Sequence, residues 1–466
     1  MPRRAGRDTV NRLRHMIRSM TTTTHPAAPL APQKRRVPSP VRARVFLLLQ
    51  GPHGPFFDRL GRLLRAADAQ VWRVGFNAGD AFFWTDPGHY IPHTEPVENW
   101  PAHLERLIVE KGVTDLVLYG DVRPVHAAAR SAAAEHGLTL HVFEEGYLRP
   151  FWITYERGGS NGHSRLMELD LTEMRRAMRG RRGDMGRPPA HWGDMRQHKF
   201  YGALYHALIL VANREYPAFR SHRSIPVLRE FRLHLRRFLS TPYVAAARAL
   251  AEARVRRGGF PYDLVLMQLE HDASFQAHSP FTTAAEFTGL VIEAFARSAP
   301  RHHHIVFKAH PLEDDRGSIR ATIAAQAEAH GVGHRVHFIH GGKLAPLVAQ
   351  ARAAITVNST AAQQALWRGV PVLALGRAVF DKPGLVSTQS LDDFMVNPER
   401  PDGRAYRAYR DYLLETSQVP GGFYARHSRA AALRLVVDMM LAPEDPYDAL
   451  LLSGGTYRQR PGSDEG

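Results

Sequence analysis

With 466 residues, 44% of them hydrophobic and 23% charged, the chain is long enough for two cores of about 150 to 200 residues each and is not a disordered polymer. It has no cysteine, which excludes thiol catalysis, disulfides and cysteine-held zinc, and no apolar run near the roughly 20 residues that cross a bilayer. The net charge of +16 points to an anionic partner, but about +10 of it sits in the first 44 residues, where eleven Lys or Arg face one acid.

That first segment, 1–43, contains "TTTTHPAAPLAPQ" and reads as a disordered basic tail able to touch anionic lipid or nucleic acid nonspecifically. A solubilising extension is the plainer alternative. No apolar stretch of signal-peptide type follows the charges, so the expected compartment is the cytoplasm.

From residue 44 short apolar runs alternate with helix-like segments: "RVFLLLQ", "FFDRLGRLLRAA", "QVWRVGF", "WPAHLERLIVEKG", "TDLVLYG", "VRPVHAAARSAAAEHG" and "LTLHVF". Such alternation predicts βαβ units around a parallel sheet. Between about 155 and 260 the pattern becomes Arg-rich and helical, with no clear strand, so 44–260 is taken as one α/β domain with a helical extension. Alternation resumes in "YDLVLMQLE", "HIVFKAH", "RVHFIHG", "RAAITVNS" and "VPVLALG", predicting a second doubly wound domain at 261–400. Residues 401–452 read as C-terminal helices and 453–466 as a disordered tail. Two Rossmann-like doubly wound domains facing a central cleft form the GT-B-like α/β class, whose ligands bind beyond the strand C-termini.

The chemistry-bearing residues fall at such strand ends. In "FEEGYLRPFWIT", Glu144 and Glu145 close a strand, and Gly146 turns the chain. Neighbours in an extended chain face opposite ways, so one carboxylate is expected to serve the site while the other anchors the turn. An isolated Glu pair is more often a solvated loop; the strand end favours a site. In "LLLQGPHGPFF", Gly51 and Gly54 would allow close approach of a ligand, or are plain turn residues.

In "IVFKAHPLED", Lys308 and His310 alternate so that both can point one way, and Pro311 stops the strand, an arrangement suited to phosphate. The plain reading leaves Lys308 exposed and His310 capping a turn. "HHH" at 302–304 precedes the strand and reads as surface histidines rather than metal ligands. In "ITVNSTAAQQAL", Asn358, Ser359 and Thr360 would lie at a helix start, where free N–H groups favour an anion, although an ordinary cap explains one hydroxyl. In "VLMQLEHDAS", Gln268, Glu270 and Asp272 share one side if the chain stays extended, and would meet a nucleoside or else stand in a solvated loop.

Taken together, "QGPHGPFF", "EEGYLRPFWIT", "QLEHD", "KAHPLE", "NSTAAQQAL" and "GVPVLALGRAVFDKPGLVSTQSLDDF" resemble the KpsS/LipB family of capsule polysaccharide biosynthesis proteins, in the same order over roughly 44–395. The resemblance implies a cytoplasmic, membrane-associated retaining glycosyltransferase that moves β-linked Kdo from CMP-Kdo to a phosphatidylglycerol-type lipid for capsule export. Its His-Pro motif falls on His310 and Pro311, its Ser/Thr motif on Ser359 and Thr360, and its acidic motif on Glu144, Glu145 and Gly146. Where the family pattern has glycine, this chain has Ala362.

Retention suggests double displacement, with Glu145 favoured as nucleophile and Glu144 as substitute, and with Arg149 a candidate partner for the sugar carboxylate. No cofactor, metal or nucleic acid is expected; the expected partners are CMP-Kdo, an anionic phospholipid, the inner-membrane surface and capsule synthesis and export proteins. Two alternatives stay open: a GT-B transferase or epimerase using a UDP-sugar, and a catalytically inactive basic adaptor on membrane or RNA.

Overall fold

The computed structural model describes residues 44–149, 152–179, 195–219, 245–270, 272–310, 313 and 318–452. The two expected tails, most of the Arg-rich middle segment and Pro311 lie outside them. In chain order come β1 (Val45–Leu48), α1 (Phe56–Ala66), β2 (Gln70–Gly75), β3 (Tyr90–Pro92) and α2 (Trp100–Lys111). Then follow β4 (Asp115–Tyr119), α3 (Pro124–His136), β5 (Thr139–Glu145), β6 (Trp152–Arg157) and α4 (Met195–Ala212). Next are β7 (Tyr262–Leu266), α5 (Ala284–Ser298), β8 (His304–Lys308), α6 (Ile319–Ala329) and β9 (Val336–Ile339). The series closes with β10 (Ala353–Thr356), α7 (Gln363–Trp367), β11 (Val372–Ala374), β12 (Gln418–Pro420) and α8 (Arg426–Leu441).

Two compact units result: the first takes in 44–219 and 407–452, the second 245–406. The α/β class with two Rossmann-like units is as expected from the sequence. The first unit holds a seven-stranded sheet in the order β3-β2-β1-β4-β5-β6-β12, parallel as far as β5. The second holds five parallel strands in the order β9-β8-β7-β10-β11. Each order runs outward one way from its first strand and then reverses, so each unit has one switch point, between β1 and β4 and between β7 and β10.

Strands such as VFLL in β1 and YDLVL in β7 are buried along their whole length, which is why they read as unbroken apolar runs. In the first unit α1 and α8 contribute Leu60, Leu64, Val436 and Met440 to one core, and α2 and α3 contribute Leu104, Ile108, Ala129 and Ala132 to another. The second unit packs Val291 and Phe295 of α5 and Ile323 of α6 around Val265, Phe307 and Ile355.

Two strands depart from the sequence reading. β6 lies where the helical zone was expected to begin, and β12 lies in the segment read as helical; both add antiparallel to the first sheet. β12 is three residues of "QVP", too short to show alternation, and pairs with β6 across more than 260 positions of sequence.

Candidate functional site

In the first unit β5 ends at Glu145, and β6 runs back antiparallel beside it with Ile153 opposite Glu145. A Cβ on Gly146 would sit 2.1 Å from the Trp152 carbonyl oxygen, so this turn closes only around glycine. The turn is held from both neighbouring strands. Thr154 Oγ1 donates to the Glu145 carbonyl (3.1 Å), Gln418 Nε2 donates to Thr154 Oγ1 (3.0 Å), and the Leu148 N–H donates to Gln418 Oε1 (3.2 Å).

Both carboxylates are half-buried but do different things. Glu144 Oε1 accepts from the Glu145 N–H (3.0 Å), turning back onto the strand end, and its other oxygen occupies space beside Gly120 that a Cβ would crowd at 3.1 Å. Glu145 Oε1 accepts from the Tyr119 hydroxyl (3.1 Å) at the end of β4. Burial, then the Glu145 carboxylate, pushes the Tyr119 phenol up, so it stays a donor; the same two causes act on Tyr424. His198 of α4 stacks on Tyr424 with ring centroids 4.1 Å apart and planes within 4°. Burial lowers the His198 pKa while Glu145 pulls it back up. The result is a fixed carboxylate at a strand C-terminus, one oxygen bound by a neutral phenol, with an imidazole in its electrostatic reach.

Arg149 is exposed, its Nε donating to the Gly146 carbonyl (3.2 Å). Gly51 and Gly54 serve packing: a Cβ on Gly51 would strike the Phe57 ring at 2.6 Å, while Gly54, at φ +114°, lies under the Tyr201 ring. Beside them, at the β1/β4 switch point, Arg123 donates to Gln50 Oε1 (3.1 Å) and Gln50 Nε2 donates to the Tyr205 hydroxyl (3.1 Å). Gln50 and Arg123 line a cavity of about 500 Å³ with Phe76, His93 and Phe219.

In the second unit the register places Lys308, Leu266, Thr356 and Ala374 level across β8, β7, β10 and β11. His310, Gln268 and Asn358 each follow two residues later, so they emerge at the strand C-termini around the switch point. Gln268 Oε1 accepts from the Asn358 N–H (3.2 Å), joining the two sides of that point directly. Ser359 caps the 3₁₀ turn Thr360–Ala362, its Oγ accepting from the Ala361 N–H (3.3 Å), and α7 follows. Asn358 and Ser359 are buried; Thr360 and His310 are half-buried.

Lys308 is buried, at 5% exposure, with Nζ 3.4 Å from the Ala309 carbonyl. Burial is the main cause that lowers its pKa to about 8, with Glu252 acting against it and Arg248 with it. The plain expectation of an exposed lysine therefore fails. So does the extended continuation of β7: beyond Met267 the chain turns, Glu270 Oε2 accepts from the Ala284 N–H (2.9 Å) at the start of α5, and the Asp272 carbonyl accepts from Gln276 N–H (3.0 Å) in the short helix Ala273–His278. Of those three, Gln268 is bonded to the Asn358 N–H. The 302–304 histidines are not all surface residues either: His303 is buried, and His304 is bonded to His337 (2.9 Å) and stacked on Phe260. Among the described residues no cluster of three or more His, Asp or Glu could hold a metal.

Tyr119, Tyr424, His198 and Gln363 were not singled out in the sequence. Tyr119 could have been found, since it ends an apolar strand. Gln363 is buried at 3% exposure with neither amide atom hydrogen-bonded among the described residues, just after the Asn-Ser-Thr turn, but reads as an ordinary helix residue.

Comparison with known proteins matches residues 114–424 to the family described as capsule polysaccharide biosynthesis protein. The capsule polysaccharide export protein KpsS of Escherichia coli is 29% identical over 384 residues, 81% of this chain and 96% of that protein. The capsule polysaccharide modification protein LipB of Neisseria meningitidis serogroup B is 31% identical over 397 residues, 82% and 92% of the two chains. Among solved structures, the β-Kdo 2,7 transferase KpsC of Thermosulfurimonas dismutans is 14% identical over 85% of this chain and all of that one, with a TM-score of 0.38. The UDP-GlcNAc 2-epimerase of Neisseria meningitidis bound to UDP-GlcNAc is 13% identical over 87% and 95%, with a TM-score of 0.24. Likeness at those scores carries no weight for substrate or mechanism.

Proposed function

Because the chain belongs to the capsule polysaccharide biosynthesis protein family, we propose that it is a retaining glycosyltransferase that moves Kdo from CMP-Kdo onto a phosphatidylglycerol-type lipid. The observation that carries this reading is Glu145, a half-buried carboxylate fixed at a strand C-terminus by the Tyr119 hydroxyl. Its free oxygen attacks the anomeric carbon, forming a glycosyl ester as the bond to the CMP phosphate breaks and CMP leaves with the electron pair. The acceptor hydroxyl then displaces Glu145, which leaves as a carboxylate with the electron pair while the hydroxyl proton passes to solvent water, and two inversions restore the configuration.

The nucleotide phosphate is assigned to Lys308, His310, Ser359 and Thr360, with Asn358 and Gln268 fixing the loop around it. Three of these, His310, Gln268 and Asn358, follow three adjacent parallel strands at the same level, which supports the assignment. Glu144 keeps the turn in place and is the substitute nucleophile; Arg149 is the candidate partner for the Kdo carboxylate. The working place is the inner face of the inner membrane, alongside capsule synthesis and export proteins.

The test is incubation of purified protein with CMP-Kdo and a fluorescent phosphatidylglycerol analogue, with the product weighed by mass spectrometry. One added Kdo and released CMP are expected. Turnover of a UDP-sugar without reaction of CMP-Kdo overturns the donor assignment, and CMP-Kdo hydrolysis without lipid product overturns the acceptor.

A further inference from the structure

On the first unit, α1 and α8 lie against each other and leave a groove of about 700 Å³ lined by Arg59, Arg62, Leu63, Arg426, Arg429 and Arg434, with Ala430 and Leu433 between them. Arg59, Arg62, Arg426 and Arg434 are exposed, and so is Leu63 at 42%. Arg62 is spoken for by Asp58 (3.2 Å) and Thr85 (2.5 Å), and buried Arg429 donates to the Tyr424 carbonyl (2.8 Å). Arg59, Arg426 and Arg434 have no carboxylate partner among the described residues. Like charges are thus held close together; the acids carried by the same two helices are Asp58, paired with Arg62, and Asp438, one turn beyond Arg434.

We propose that this groove docks the protein on the surface of an anionic phospholipid bilayer. The proposal does not depend on the transferase reading. Arg426, Ala430 and Arg434 follow one face of α8 at four-residue spacing, a stripe of about 12 Å at 1.5 Å per residue, longer than one phosphate requires and suited to several headgroups. Leu63 offers an apolar contact among the guanidinium groups, as surface-seated helices do. No aromatic ring lies among the lining residues, so the stacking platform that single-stranded nucleic acid uses is absent from it.

The groove also has a physical tie to the carboxylate site. Arg429 holds the carbonyl of Tyr424, whose ring stacks on His198 and feels the charge of Glu145. A bilayer seated on α1 and α8 therefore lies against the same short segment, 424–429, that borders Glu145.

Full-length protein is sedimented with vesicles of phosphatidylcholine alone or containing roughly one-quarter phosphatidylglycerol, an attraction worth about fivefold in binding per basic side chain. The variant Arg59→Gln/Arg426→Gln/Arg434→Gln is compared with Arg301→Gln/Arg320→Gln/Arg404→Gln, which removes the same charge from exposed positions of the second unit. The expected result is binding to the mixed vesicles only, weakened about 10²-fold in the groove variant and no more than about threefold in the control, with circular dichroism unchanged in both. Equal loss in both variants, no loss in the groove variant, or equal binding to neutral vesicles overturns the proposal. So does a groove variant that keeps vesicle binding but loses affinity for a fluorescent oligonucleotide.

Discussion

At the level of single residues, the electrostatics of two groups make opposite demands. As the proposed nucleophile Glu145 acts as a carboxylate, and the Tyr119 hydroxyl holds one of its oxygens while leaving the group half-open. Glu145→Gln keeps the volume and removes the charge, so transfer is expected to vanish while CMP binding, read by calorimetry, stays within about threefold; loss in Glu144→Gln with a normal Glu145→Gln would move the role to the neighbour. Lys308, as a proposed phosphate ligand, must instead carry its proton. Burial has lowered its pKa to about 8, so the fraction charged falls tenfold per pH unit above that value. CMP affinity is expected to drop accordingly between about pH 8 and 10, and Lys308→Met should bind weakly with a flat profile. A wild-type profile flat to pH 10 would remove Lys308 from the phosphate site.

At the level of elements, the first sheet is pinned at the end opposite the carboxylates by a buried polar chain. Arg44 pairs with Asp115 at the start of β4, His141 Nε2 bonds to Asp115 Oδ1 (2.8 Å), and His141 Nδ1 meets the Tyr155 hydroxyl (2.8 Å), crossing β4, β5 and β6. Burial lowers the His141 pKa to about 4, with Asp115 opposing. Folded, the ring stays neutral between about pH 6.5 and 4, where the unfolded chain takes up a proton, so stability falls as the pH drops through that window. The shift corresponds to about 2 to 3 kcal/mol lost at pH 4.5 relative to pH 7. His141→Gln, which cannot titrate, is expected to be less stable at pH 7 but to lose about 2 kcal/mol less than wild type on acidification, measured by urea unfolding at both pH values. An unchanged pH difference would mean that His141 does not titrate on unfolding.

At the level of the whole molecule, the first unit is discontinuous in sequence, since β12 and α8 come back to a sheet begun more than 250 residues earlier. Phe423, between them, meets the rings of Phe56 (4.9 Å) and Tyr119 (5.1 Å) edge to face, so the returning segment also supports the residue that holds Glu145. The basic segment 1–43 lies outside the described residues. Removing residues 1–40 is expected to spare turnover on a soluble acceptor and to weaken, not abolish, binding to anionic vesicles, since the arginines of α1 and α8 remain. Loss of soluble-acceptor turnover in a folded truncation would place the segment in the reaction itself.

The class of fold was legible because parallel strands buried on both faces must be apolar throughout, as "VFLLL" and "DLVLY" are, and because helical periodicity separates them. The family was legible too, through motifs such as "KAHPLE" and "NSTAAQQAL", and the match over 114–424 bears it out. Local chemistry also placed the Glu pair at the end of a strand, where β5 stops at Glu145. What the sequence could not carry were contacts made across long separations. Nothing near Glu145 announces that Tyr424, some 280 positions away, and His198 on a helix some 50 positions on stand beside it, nor that "QVP" completes the sheet. The period-two projection from Gln268 to Asp272 failed because it assumed an extended backbone that the start of a helix interrupts. Hydrophobic patterning is a property of neighbouring residues and survives in one dimension. Which hydroxyl faces which carboxylate, and which arginines converge, is decided by the packing of elements that only folding brings together.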